Sequence, residues 1–266
     1  MSAINYKNIE HAIKTTLNKD PFNYCIINNF FKPETATQLE KDFLPYASKN
    51  WFVYTNLLEN KKTINDWNLF PPTTYKIFTE LNSSKFIKML ERNLKTKLFA
   101  DFGLHGGGWH IHGKGGNLNP HLDYSIHPKN HLQRKLNLII YLSKNFLPSK
   151  HKGHLGFWAK NTSNNNIPGE LKVEIEPIFN RAVIFDTSQY SWHGISQKLD
   201  LPSNIYRKSI AVYYLEHPEK ICRTNEKAIF APRINETNNI ELLEEIKLRQ
   251  DKKKYAQAYI VRKAKK

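Results

Sequence analysis

The sequence predicts an α+β chain with a mainly β core, closed or built from two sheets, with N-terminal flanking helices and a C-terminal helical basic tail. Three observations predict it. Apolar residues recur at helical spacing in much of the first 96 residues. From about residue 97, short apolar runs follow one another, separated by clusters of turn formers. After residue 240 the helical period returns and runs into a Lys-rich end. The expected divisions are a helical and irregular support region packed on the core (1–96), the β core (97–233), and the helix and tail (234–266).

The elements are justified in order. Pro33 suits the first turn of a helix, where its missing N–H costs nothing, and Ala36, Leu39, Phe43 and Leu44 follow at helical spacing. Ser83 caps a second helix that carries Phe86, Ile87, Leu90 and Leu94 on one face. Between them, residues 51–75 are rich in aromatics and turn formers and are expected to be irregular, as a lid would be. The Gly106-Gly107-Gly108 loop opens the β region. Leu136 to Leu142, Ala182 to Phe185 and Ile210 to Leu215 predict strands, and Leu171, Val173 and Ile175 alternate with charged residues as in a half-buried strand. Asn161 to Asn166, Pro168-Gly169 and Pro202-Ser203-Asn204 are turns. Leu242, Leu243 and Ile246 mark the last helix.

Composition narrows the function classes. Forty Lys and Arg against 24 Asp and Glu leave the 266-residue chain at +16. Half of that charge sits in residues 247–266, where nine Lys or Arg face one Asp. Such a tail invites a nucleic-acid partner. Yet 32 Lys stand against 8 Arg, and 28 Asn accompany them, which is also the pattern of a codon-biased, solvated surface. No run of 18 apolar residues predicts a membrane span. The first 30 residues lack the features of a secretory signal. Cys25 and Cys222 alone make neither a disulfide framework nor a Cys-rich zinc site, so a reducing cytoplasm is the expected compartment.

Eight histidines fall between residues 105 and 154, and company must select among them. In a strand, residues i and i+2 share a face, so His121 and Asp123 would point together into a barrel while Leu122 turns into the wall. One imidazole and one carboxylate are two-thirds of a 2-His-1-carboxylate facial triad. His193, in Ser191-Trp192-His193-Gly194, follows an apolar strand and supplies a third ligand 72 residues on. Arg207 and Ser209 share a strand face 14 residues beyond it and can hold a carboxylate.

In these ordered elements the sequence resembles the iron(II)- and 2-oxoglutarate-dependent oxygenases, in their prolyl-4-hydroxylase-like branch. YCIINNFFKPETATQLEKDFL resembles that branch's opening strand and helix, and HGKGGNLNPHLDYS its approach to the first ligands. RKLNLIIYLSKNF and GHLGFW resemble its central strand pair. PIFNRAVIFDTSQYSWHGIS and YRKSIAVYYLEH resemble the strands bearing the distal His and the cosubstrate Arg. The resemblance implies a double-stranded β-helix, a jelly-roll, with iron(II) held by His121, Asp123 and His193. It implies 2-oxoglutarate bound by Arg207 and Ser209, with Asn137 and Tyr141 lining its pocket. His112 stands where many relatives carry a Tyr that reaches the cosubstrate, and GHLGFW lacks the usual acidic residue. Trp192, beside the distal ligand, either walls the substrate pocket or packs against the barrel. The implied reaction consumes 2-oxoglutarate and O2 and hydroxylates an unactivated C–H bond, of a prolyl or similar residue in a peptide or of a small molecule. Two other readings compete. The basic tail with Trp51, Tyr54, Trp67 and Trp109 suits an oxygenase acting on a nucleic-acid base. A binding protein with a decayed site is the non-enzymatic alternative.

Overall fold

The computed structural model describes residues 2–187, 189–219, 227–251 and 253–254. Two antiparallel sheets face each other. The larger has the strand order Tyr24–Ile27, Ala182–Asp186, Gln133–Tyr141, Arg207–Glu216, Gly108–His112, Glu59–Ile64 and Phe52–Thr55. Two short strands, Phe99–Ala100 and Asn117–Leu118, pair at its side. The smaller has the order Pro168–Ile175, Leu155–Lys160, His193–Ile195, His121–Leu122 and Ile229–Phe230. This is the expected double-stranded β-helix architecture.

Strand alternation divides the core into two. Leu136, Leu138 and Ile140, with Ile210, Val212 and Tyr214, lie on the outer face of the large sheet and pack against the helices. Those helices form where local signals favour them. Asn5 caps Tyr6–Thr16, which buries Ile9 and Ile13 one turn apart. Pro33 opens Pro33–Asp42, which buries Ala36 and Leu39. The Ser83 hydroxyl accepts from the Phe86 N–H at 3.3 Å, and Ser84–Leu94 buries Phe86, Ile87, Met89 and Leu90. On the inner face, Tyr141, Val183 and Phe185 meet Leu155, Phe157 and Ile175 of the small sheet. Burying these side chains is the main stabilising term, at about 1.5–3 kcal/mol for each large aliphatic or aromatic group.

Three expectations change. Residues 51–75 are not irregular: Phe52–Thr55 and Glu59–Ile64 form a hairpin that extends the large sheet. The two stretches resembling a central strand pair do not pair with each other, because Gln133–Tyr141 lies in the large sheet and Leu155–Lys160 in the small one. The N-terminal third also supplies three strands to the large sheet besides its helices. The final helix, Ile240–Gln250, buries Leu242 and Ile246 against Leu58 and Phe230. Most of the basic tail lies outside the described residues. No helix among those described is long and apolar enough to cross a membrane.

Candidate metal centre

His193 pairs directly with His121 across the small sheet. The approach is close because residue 194 is glycine: a Cβ there would stand 2.7 Å from the Asn119 carbonyl oxygen. Asp123 follows the His121–Leu122 strand by one residue. The His121 Nε2 lies 3.8 Å from Asp123 Oδ1, and the His193 Nε2 lies 3.7 Å from Asp123 Oδ2. Ligand atoms of the three residues all lie within 4.8 Å of one another, so they could hold one metal ion.

The donor chemistry fits such an ion. His121 Nδ1 sits 3.0 Å from the Asn119 carbonyl oxygen, and His193 Nδ1 sits 2.8 Å from that of Ser191. A carbonyl only accepts, so each Nδ1 carries the proton and each Nε2 keeps its lone pair for a metal. Burial pushes both imidazoles down, His121 to about 3, with the neighbouring His193 adding to the effect there. Both are therefore neutral near pH 7, as ligation requires. Asp123 Oδ1 accepts from Tyr213 Oη at 3.4 Å and meets Arg134 Nη1 at 3.1 Å. Asp123 Oδ2 is buried with no hydrogen-bond partner. Burial would raise this carboxyl, but Arg134 and the two histidines hold it below its usual range. An ionised carboxylate oxygen without a hydrogen-bond partner, beside two unprotonated ring nitrogens, suits a cation.

The cavity beside these residues measures about 510 Å³. Arg207, Ser209, Asn137 and His112 line it. Arg207 is buried, with its Nε unpartnered, and so are both His112 ring nitrogens and Asn137 Oδ1. Register explains the grouping, because Arg207 faces His112 and Ser209 faces both His110 and Tyr141 across the ladder. Tyr141 does not line the cavity but lies behind Arg207, whose guanidinium carbon is 4.8 Å from its ring centre. These unpartnered groups at one end suit a carboxylate.

Of its two expected placements, Trp192 takes the packed one. It is fully buried, packs with Leu122, Trp158 and Ala231, and does not line the cavity. Alternation accounts for it: where His193 points inward, its neighbour points out. Trp51 and Trp109 pack in the main core, and Trp67 packs against it, so of the four aromatics Trp51, Tyr54, Trp67 and Trp109 only Tyr54 lines the cavity.

Two groups carry no sequence signal. Arg134 lies between the Tyr124 and Tyr213 rings, 3.5 and 3.6 Å from their centres, and reaches Asp123. On the hairpin, Glu59, Lys61 and Thr63 share the cavity face. Burial would raise Glu59, but Lys61 at 3.0 Å and Arg249 of the last helix at 2.6 Å hold it at about 2.

Residues 107–215 match the family model of the 2OG-Fe(II) oxygenase superfamily, and that span contains His121, Asp123, His193 and Arg207. Over that span the chain belongs to the 2OG-Fe(II) oxygenase superfamily. A prolyl hydroxylase from Trichoplax adhaerens, solved with a hypoxia-inducible-factor peptide fragment, is 18% identical with a TM-score of 0.57, covering 79% of this chain and 90% of that one. A prolyl-4-hydroxylase from Pseudomonas putida is 12% identical with a TM-score of 0.54, covering 79% and 100%. Prolyl 4-hydroxylases from Phytophthora capsici give 16%, 0.51, 97% and 83%. At these identities the likeness is one of fold. No curated protein matches the sequence. The oxygenase is thus a dioxygenase that uses iron(II), 2-oxoglutarate and O2.

The site makes the oxygenase acid-sensitive. Burial, aided by Lys61, pushes His110 down to about 3, and burial with Arg207 pushes His112 well below its ordinary 6.5. Between about pH 6.5 and 3 the unfolded chain binds protons that the folded chain refuses, so stability falls as pH falls through that window and is fully present above it. The melting temperature of the metal-free protein should be level from pH 8 to 7 and drop steadily below 6. A level profile down to pH 4.5 would contradict these burials.

Proposed function

We propose that the oxygenase hydroxylates an unactivated C–H bond of a prolyl or similar residue presented in an extended peptide. One observation supports a peptide over a free small molecule or a nucleic-acid base. The Phe52–Thr55 strand is an edge of the large sheet, and Phe52 and Tyr54 on it line the cavity. An edge strand offers unpaired backbone groups to an incoming extended chain, and pockets beside it take alternate side chains. Phe52 is 57% exposed, which suits a side chain that awaits a partner.

In this reading His121, Asp123 and His193 hold iron(II), and Arg207 with Ser209 takes the distal carboxylate of 2-oxoglutarate. Asn137 and His112 complete that end with hydrogen bonds. Bound together, iron and cosubstrate supply the oxidising power that turns C–H into C–OH, with succinate and carbon dioxide as coproducts. The chain's own work is orientation and exclusion. Ile139 and Leu155 give the cosubstrate end apolar walls that limit water. The hairpin face carrying Tyr54, Lys61 and Thr63 sets where the target residue lies.

Succinate formation in the presence of prolyl peptides, free proline and oligonucleotides tests the reading. Peptides should stimulate it, and Phe52→Ala should reduce that stimulation by about tenfold, the effect of truncating an aromatic anchor. Stimulation by free proline or oligonucleotides with none by peptides overturns it.

A further inference from the structure

The buried Arg233 lies beyond the 107–215 span and does not line the cavity. Its Nε and Nη2 donate to the Ile195 carbonyl oxygen at 3.0 and 2.6 Å. Nη2 also donates to Asn117 Oδ1 at 2.5 Å, and Nη1 to Asn119 Oδ1 at 2.9 Å. Glu236 closes the network: its Oε1 lies 2.9 Å from Nη1, and its Oε2 accepts from Asn119 Nδ2 at 2.7 Å.

These partners are placed in a particular way. Ile195 comes two residues after His193, on the same strand. Asn119 comes two residues before His121, and its carbonyl accepts the His121 Nδ1 proton. One guanidinium therefore grips both chain segments that carry the histidines without itself lining the cavity. The neighbouring residues reinforce the grip. Phe230 pairs with His121 in the sheet and stacks on its ring at 5.2 Å and 21°. The Ala231 N–H donates to the Pro120 carbonyl at 2.8 Å.

We propose that Arg233 is a positioning residue for the metal centre, fixing the spacing and tilt of the His121 and His193 imidazoles by holding Asn119, whose carbonyl orients His121, and Ile195, on the strand that carries His193. The proposal rests on these histidines being metal ligands. A ring that donates Nδ1–H to a backbone carbonyl turns with that carbonyl, so whatever fixes the carbonyl aims the Nε2. Only a planar fork satisfies Ile195, Asn117 and Asn119 at once; a lysine ammonium keeps the charge but not the geometry.

Cobalt(II) titration of the full chain, followed by visible absorption, tests this without turnover. Arg233→Lys should keep the wild-type circular dichroism, weaken cobalt(II) binding by about 10- to 100-fold, the cost of losing a partner that orients a ligand, and alter the ligand-field bands. A merely structural Arg233 would lower the melting temperature of the metal-free protein and leave the cobalt(II) affinity within about twofold of wild type; that result overturns the proposal. Should Arg233→Lys not fold, Glu236→Gln loosens the same network, and cobalt(II) affinity unchanged in it overturns the proposal equally. His193→Ala separates the two levels. If it binds cobalt(II) like wild type, the ligand assignment fails. If it loses cobalt(II) while Arg233→Lys does not, only the positioning role fails.

Discussion

Replacing His193 with alanine is expected to lower succinate formation by at least about 100-fold while leaving the chain folded. Loss of a group that merely orients a ligand costs 10- to 100-fold, so loss of a ligand should reach or exceed that. The fold should survive because of how the charges are distributed. His193 is neutral, so its removal strands no charge. Asp123 keeps Arg134 at 3.1 Å and the Tyr213 hydroxyl at 3.4 Å. The cost is then mainly a cavity where the ring met Phe185 and His121, at about 2–4 kcal/mol. The far-ultraviolet circular dichroism and a cooperative melt should persist, with cobalt(II) binding lost. Wild-type 2-oxoglutarate turnover in this variant would remove His193 from the centre.

Some of this was legible in the sequence for local reasons, and some was hidden for reasons equally physical. His121 and Asp123 could be read because same-face spacing needs only one extended residue between them. His193 could be read because a strongly apolar strand and Gly194 lie beside it. The hairpin at 52–64 was hidden because its inner face, Glu59, Lys61 and Thr63, lines a polar cavity. The apolar alternation that marks a strand is then absent. Arg134 was hidden by a bulge. Leu136 pairs with Tyr214 and Arg134 with Leu215, so Lys135 is an extra residue and Arg134 joins the cavity side that strict alternation would deny it. Arg233 and Arg249 were hidden by distance: Arg249 meets Glu59 across 190 positions, and nothing local in either segment announces the pair. Trp192 shows the converse. Nearness to a ligand in sequence left both the pocket and the barrel packing open, and the pleat turned the ring away from the pocket.

Replacing Arg134 with methionine should destabilise the metal-free protein by about 3–5 kcal/mol, the cost of leaving a buried charge without its partner. Arg134 is 3% exposed, and it is the nearest cation to the Asp123 carboxylate. Methionine can fill much of the space between Tyr124 and Tyr213, so the packing loss is the smaller part. What remains is a carboxylate with only a hydroxyl to satisfy it. Its pKa must then rise, because burial already pushes it up and Arg134 is the largest effect opposing that. A divalent metal supplies the missing positive charge at the other oxygen. Cobalt(II) should therefore raise the melting temperature of Arg134→Met by more than it raises that of the wild type, and the gap should widen as pH rises and the carboxyl ionises. Equal metal-induced shifts in the two proteins would mean that Arg134 does not govern the charge of Asp123. A small loss of stability without metal would mean that the Tyr124–Arg134–Tyr213 stack, and not the ion pair, is what Arg134 contributes.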